Sequence, residues 1–106
     1  MPNILLNMDN AILSRNLDLH DEHGNLASHV TILIGRPEQV NEREWSCAYS
    51  ISGLGDINSK PFKINGIDSV QTIQCAFTVI KGTLAGSTFV KQGLLYWNGD
   101  NNTLIG

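Results

Sequence analysis

Asp68-Ser69-Val70-Gln71-Thr72-Ile73-Gln74-Cys75-Ala76-Phe77-Thr78-Val79-Ile80-Lys81-Gly82-Thr83-Leu84-Ala85 is the stretch that decides the fold. Val70, Ile73, Phe77, Ile80 and Leu84 fall three, four, three and four residues apart, which draws one apolar stripe along an α-helix. Asp68 is a good N-cap, and Gln71 then takes the N3 place of a capping-box pair. Gly86 supplies the stop, so the spacing predicts a helix over Ser69–Ala85, weakened at Gly82 by about 1 kcal/mol relative to alanine. Its polar arc is narrow: Lys81, Gln74, Thr78 and Gln71 share it at about 100° per residue. Cys75 and Val79 lie outside both stripe and arc. The ordinary reading sinks this helix deeply into its own domain; the functional reading gives Cys75 and Val79 to another subunit or a partner.

On the N-terminal side the period changes to two. Leu13, Arg15, Leu17 and Leu19 alternate with Ser14, Asn16, Asp18 and His20, and Val30, Ile32 and Ile34 alternate with His29, Thr31 and Leu33. The polar turn Asp21–Asn25 between them makes an antiparallel hairpin. Gly35-Arg36-Pro37 stops the second strand, because proline gives no N–H to a ladder. Glu38–Arg43 reads as a charged loop. Trp45, Cys47, Tyr49 and Ile51 form the clearest strand, ending in the turn Gly53-Leu54-Gly55-Asp56. Asn58–Asn65 reads as a loop around Pro61, with a short extended piece at Phe62–Ile64. Beyond the helix, Phe89–Gln92 reads as strand or as its unwinding end, and Leu94–Trp97 as a fourth strand. The expected fold is α+β: a small antiparallel sheet of three to four strands in β-β-β-α-β order, covered on one face by one long helix. All 106 residues make one domain, with 1–10 a loose arm and 98–106 a loose tail.

Composition narrows the class. Charged residues are 16% of the chain and the net charge is −3. That argues against disorder and against a basic nucleic-acid footprint. No stretch approaches the length of a membrane span, and the N-terminus lacks a basic region before Ile4-Leu5-Leu6, so a cytoplasmic location is the default expectation. Cys47 and Cys75 sit inside apolar patterns and read as buried free thiols.

Candidate sites are few. His20, His23 and His29 have metal-ligand chemistry at a spacing a hairpin could gather, against the ordinary reading of a solvated turn. Gly53-Leu54-Gly55-Asp56 lacks the lysine and the following helix N-terminus of a phosphate loop. Arg15 interrupts the apolar face of the first strand. With Arg36 it could hold an acidic partner, against the ordinary reading of a solvated arginine. Trp45 and Tyr49 share the parity of Cys47 and Ile51 and therefore read as core.

Arg15-Asn16-Leu17-Asp18-Leu19, then Val30-Thr31-Ile32-Leu33-Ile34-Gly35-Arg36-Pro37, Ile51-Ser52-Gly53-Leu54-Gly55 and Gly66-Ile67-Asp68-Ser69-Val70-Gln71 stand in order over about residues 15–85. Trp45-Ser46-Cys47 and Gly93–Trp97 add to the pattern. This combination resembles a small uncharacterised bacterial domain family, a domain of unknown function with an IGRP…SGLG…GIDSVQ pattern. The resemblance implies a short standalone α+β domain in bacteria and transfers no catalytic residue.

The functional expectation is a non-catalytic protein-interaction or regulatory module of a bacterial cytoplasm, possessing no cofactor and acting on a protein partner or a second copy, with no nucleic acid or membrane. The alternative is a small ligand binder or enzyme with a pocket at the sheet end near Arg36, Gly53 and Asp68.

Overall fold

The computed structural model describes residues 6–54, 61–102, 104 and 105. Its elements are β1 (Ala11–His20), β2 (Leu26–Gly35), β3 (Glu38–Asn41), β4 (Glu44–Ser52), β5 (Phe62–Gly66), α1 (Ser69–Ala85), α2 (Thr88–Lys91) and β6 (Leu95–Tyr96). All six strands join one antiparallel sheet: β4 pairs with β2, β3 and β5, and β1 pairs with β2 and β6. The α+β class holds, but a sheet of three to four strands is too small.

The missing strands have physical reasons. β3 is exposed along its whole length, so Glu38–Asn41, read as loop, carries no apolar alternation. β5 spans only five residues, too short for a period to register beyond the extended piece expected at Phe62–Ile64; β6, two residues long, is the fourth strand expected at Leu94–Trp97. Tyr49 of β4 pairs Ile34 of β2 on one edge and Phe62 of β5 on the other, while Trp45 pairs Gln39 of β3 and Gly66 of β5. β3 therefore continues the line of β2 along the same edge of β4, past the break at Arg36-Pro37.

β1 and β2 pair from Ala11↔Gly35 to His20↔Leu26. Asp21 closes their turn: its Oδ1 accepts from the His23 and Asn25 amides at 2.9 and 3.0 Å. One sheet face is polar, with Thr31 donating to Asn16 at 3.1 Å and His29 beside Asp18 at 3.0 Å. The other carries Leu17, Leu19, Val30, Ile32, Ile34, Cys47 and Ile51 into the core.

α1 begins and ends where its spacing predicts. The Gln71 amide donates to Asp68 Oδ1 at 2.7 Å. Gln71 Oε1 accepts from the Ile67 amide at 2.8 Å rather than from that of Asp68, one residue short of a capping box. The helix is rolled, however. Thr72, Ala76, Ile80 and Leu84 are its buried residues, whereas Val70 is 65% exposed and Phe77 36% exposed. Small Thr72 and Ala76 let the helix approach the sheet closely. At Gly66 of β5 any Cβ would overlap Thr72. A period alone marks a stripe; close approach selects which neighbouring stripe faces inward.

The N-terminal residues 6–10 form a turn, with Asn7 Oδ1 accepting from the Asp9 amide at 2.9 Å; the rest of the predicted arm lies outside the described residues, as do Gly55, Asp56 and residues 57–60. The tail is not loose where it is described. Asn98 (φ 51) and Gly99 (φ 80) make a two-residue reversal closed by paired Trp97–Asp100 backbone bonds of 2.8 and 2.9 Å, the geometry an Asn-Gly pair favours. The chain returns to bury Leu104 and Ile105.

Gly53 has φ +89, and a Cβ there would overlap the His29 carbonyl oxygen. Gly53→Ala is expected to cost about 3 kcal/mol, combining the left-handed penalty with overpacking. Gly24, at φ +81 in open space, should cost about 1 kcal/mol on the same change. Urea unfolding of the two variants measures the difference.

Candidate functional site

A 17-residue helix is about 10 Å across with its side chains, and strands lie about 4.8 Å apart. One helix therefore covers about two strands. α1 lies over β4 and β5, leaving the Leu13 end of β1 and the Ile34 end of β2 without a helix above them. The register sets Leu13 opposite Ile34 and Arg15 opposite Ile32, so these four residues form one patch. Phe77 of α1 leans over it from one side and Ile105 of the returning tail from another. The result is a cavity of about 310 Å³ lined by Leu13, Ser14, Arg15, Ile32, Ile34, Phe77 and Ile105.

Arg15 is its one charged residue. The guanidinium lies 3.8 Å from the centroid of the Trp97 ring, and Nη1 donates to the Leu104 carbonyl at 2.8 Å. Both partners are uncharged. Among the described residues no carboxylate lies within ion-pair distance of it; the ion pairs there are His23–Glu22 and His29–Asp18.

The sites expected from sequence are dispersed. Arg36 is exposed beyond the end of β2, four residues along from Ile32, or roughly 13 Å at 3.3 Å per residue; the two arginines do not share a site. Gly53 lies beside His29, past the C-terminal end of β4, whereas Asp68 follows Gly66, which pairs Trp45 at the other end. The pocket expected near Arg36, Gly53 and Asp68 is therefore not assembled. Leu54 is buried in the core.

The histidines also part. His20 Nδ1 is 3.2 Å from the Gly24 carbonyl and its ring is 4.7 Å from that of Tyr96. His23 is exposed at the turn and His29 sits beside Asp18 on the polar face. Among the described residues no three metal-ligating side chains come together. Cys75 and Val79 are half-buried on one flank of α1. Sequence reasoning flagged Arg15 but missed its neighbours: only its interruption of an apolar row pointed to the place.

Cys47 is buried, and its thiol donates to the Gly35 carbonyl at 3.2 Å. Burial pushes the Cys47 thiol and the Tyr49 phenol above their ordinary values. Both groups are neutral when protonated. Above about pH 9 the unfolded chain releases protons that the folded chain keeps, so stability declines as pH rises. Denaturation midpoints measured from pH 7 upward should stay level and then fall through this range, with a shallower fall in Cys47→Ala/Tyr49→Phe.

No helix among the described residues is long and apolar enough to cross a membrane. No curated protein and no solved structure matches the chain. A family model does, over residues 13–105, a span that opens at Leu13 and closes at Ile105 of the cavity. The chain belongs to this family, described as a domain of unknown function, DUF6968.

Proposed function

We propose that the domain is a non-catalytic binding module whose site is the cavity between β1, β2 and Phe77. The observation that carries this reading is the cavity itself, apolar on five of its seven lining residues and furnished with one guanidinium. Apolar walls with few polar groups are the usual make-up of ligand sites. At about 310 Å³ it stands at the small end of such sites, and Ser14 has no histidine or carboxylate beside it in the lining to act as base. Net charge −3 supports partners other than nucleic acid. The free thiols Cys47 and Cys75 suit a reducing, cytoplasmic setting; the bacterial assignment rests on the sequence resemblance alone.

Leu13 stands at the cavity rim, 42% exposed. Small apolar fragments are expected to move the methyl resonances of Ile32, Ile34 and Ile105 as one group, and Leu13→Trp should abolish those shifts with little change in thermal midpoint. Shifts scattered over the surface, or none, would overturn the reading.

A second reading, contact with a protein partner or another copy of this chain, is favoured by Ile67 and Val70, each 65% exposed at the start of α1. Exposed apolar patches on helices mark association surfaces. If this surface pairs two copies, sedimentation will show concentration-dependent association that Val70→Glu removes; a monomer at every concentration tested rejects self-association.

A further inference from the structure

We infer that the cavity takes a carboxylate with a short apolar body, its anionic end on Arg15. This rests on the reading of the cavity as a binding site and adds the chemical class of the ligand.

Arg15 occupies the core-facing row of β1, between Leu13 and Leu17. Two neutral groups fix its position: the Trp97 ring, its centroid 3.8 Å from Cζ, and the Leu104 carbonyl at Nη1. A guanidinium has five N–H donors in a rigid fork that fits a carboxylate edge-on. One donor is used by Leu104. The Trp97 ring meets the carbon Cζ of the guanidinium rather than taking an N–H donor to an acceptor, so the Leu104 bond is the one hydrogen bond of the fork among the described residues. The guanidinium lines the cavity with no carboxylate of the described residues within ion-pair distance. Charge complementarity therefore calls for an anion.

The remaining walls define what the anion carries. Leu13, Ile34, Phe77 and Ile105 present hydrocarbon and one aromatic ring. Ser14 pairs Leu33 and shares the parity of Asn16 on the polar face, so Arg15 supplies the polar side-chain chemistry of the lining, too little for a sugar or a nucleotide, whose hydroxyls would lose their water without replacement. At about 30 Å³ per water-sized group, 310 Å³ accommodates roughly ten non-hydrogen atoms, the size of octanoate.

The test is a titration of the isotope-labelled 106-residue chain with sodium octanoate and, separately, with octan-1-ol. Octanoate should shift the Ile34 and Ile105 methyls and the Arg15 Nε–H together. It should bind about tenfold tighter than the alcohol, because charge-assisted hydrogen bonds are the stronger kind. Arg15→Gln should bring the two affinities together, and Arg15→Lys should retain a reduced preference for octanoate. Arg15→Gln also gives up the Trp97 contact, so its thermal midpoint is recorded; the comparison of octanoate with octanol on the unaltered protein does not depend on any variant. Equal affinity for acid and alcohol overturns the anion inference and leaves the cavity reading standing. No shift at Ile34 or Ile105 with either compound overturns both.

Discussion

One helix has to cover a sheet that is wider than it is, and most of this architecture follows from that shortage. The sheet's core face runs from β5 through β4 and β2 to β1 and β6. A helix with its side chains covers about two strand spacings. α1 spends that coverage on β4 and β5, where Gly66 allows Thr72 to come close. The remainder of the face has to be closed by smaller pieces: the short α2, the β6 segment and the returning tail.

Those pieces close it unevenly. Leu95 enters the core from β6, and Leu104 and Ile105 come back over β1 after the Asn98-Gly99 reversal. Asn101 ties the return to the Gly93 carbonyl at 3.2 Å. Arg15 holds the same return from the sheet side through Leu104 and Trp97. Beyond Ile105, Phe77 is the one described residue outside β1 and β2 that lines the patch of Leu13 and Ile34. The cavity is thus the place where the covering runs out, and Phe77 is half exposed because its ring reaches sideways from α1 instead of down.

Much of this was legible in the sequence, for identifiable reasons. α1 was readable to the residue because its cap and its stop are local chemistry, supplied by Asp68 and Gly86. β1, β2 and β4 were readable because each buries one face and exposes the other, so composition alternates. β3 was not, since neither of its faces is buried and pairing alone leaves no mark on composition. The roll of α1 was not, since it follows from Gly66 of β5 meeting Thr72, and Gly66 stands fourteen residues after Ser52, the last of β4. Arg15 was visible as a flaw in an apolar row. Its meaning was not, because Trp97 and Leu104 are 82 and 89 residues further along the chain.

That flaw bears on function through a comparison of roles. Tying down the tail requires only a donor for the Leu104 carbonyl, and a neutral amide supplies one without bringing charge to an apolar wall. The stacking on Trp97 returns about 0.5–2 kcal/mol to a cation, against the desolvation that a half-buried guanidinium incurs. As a structural tie, then, Arg15 is at best an even exchange. As an anion seat it is well prepared: the ring and the carbonyl have already fixed the side chain's rotamer, so a ligand does not have to order it. The apolar surroundings that make the charge costly when unmatched are the same surroundings that strengthen its attraction for a carboxylate.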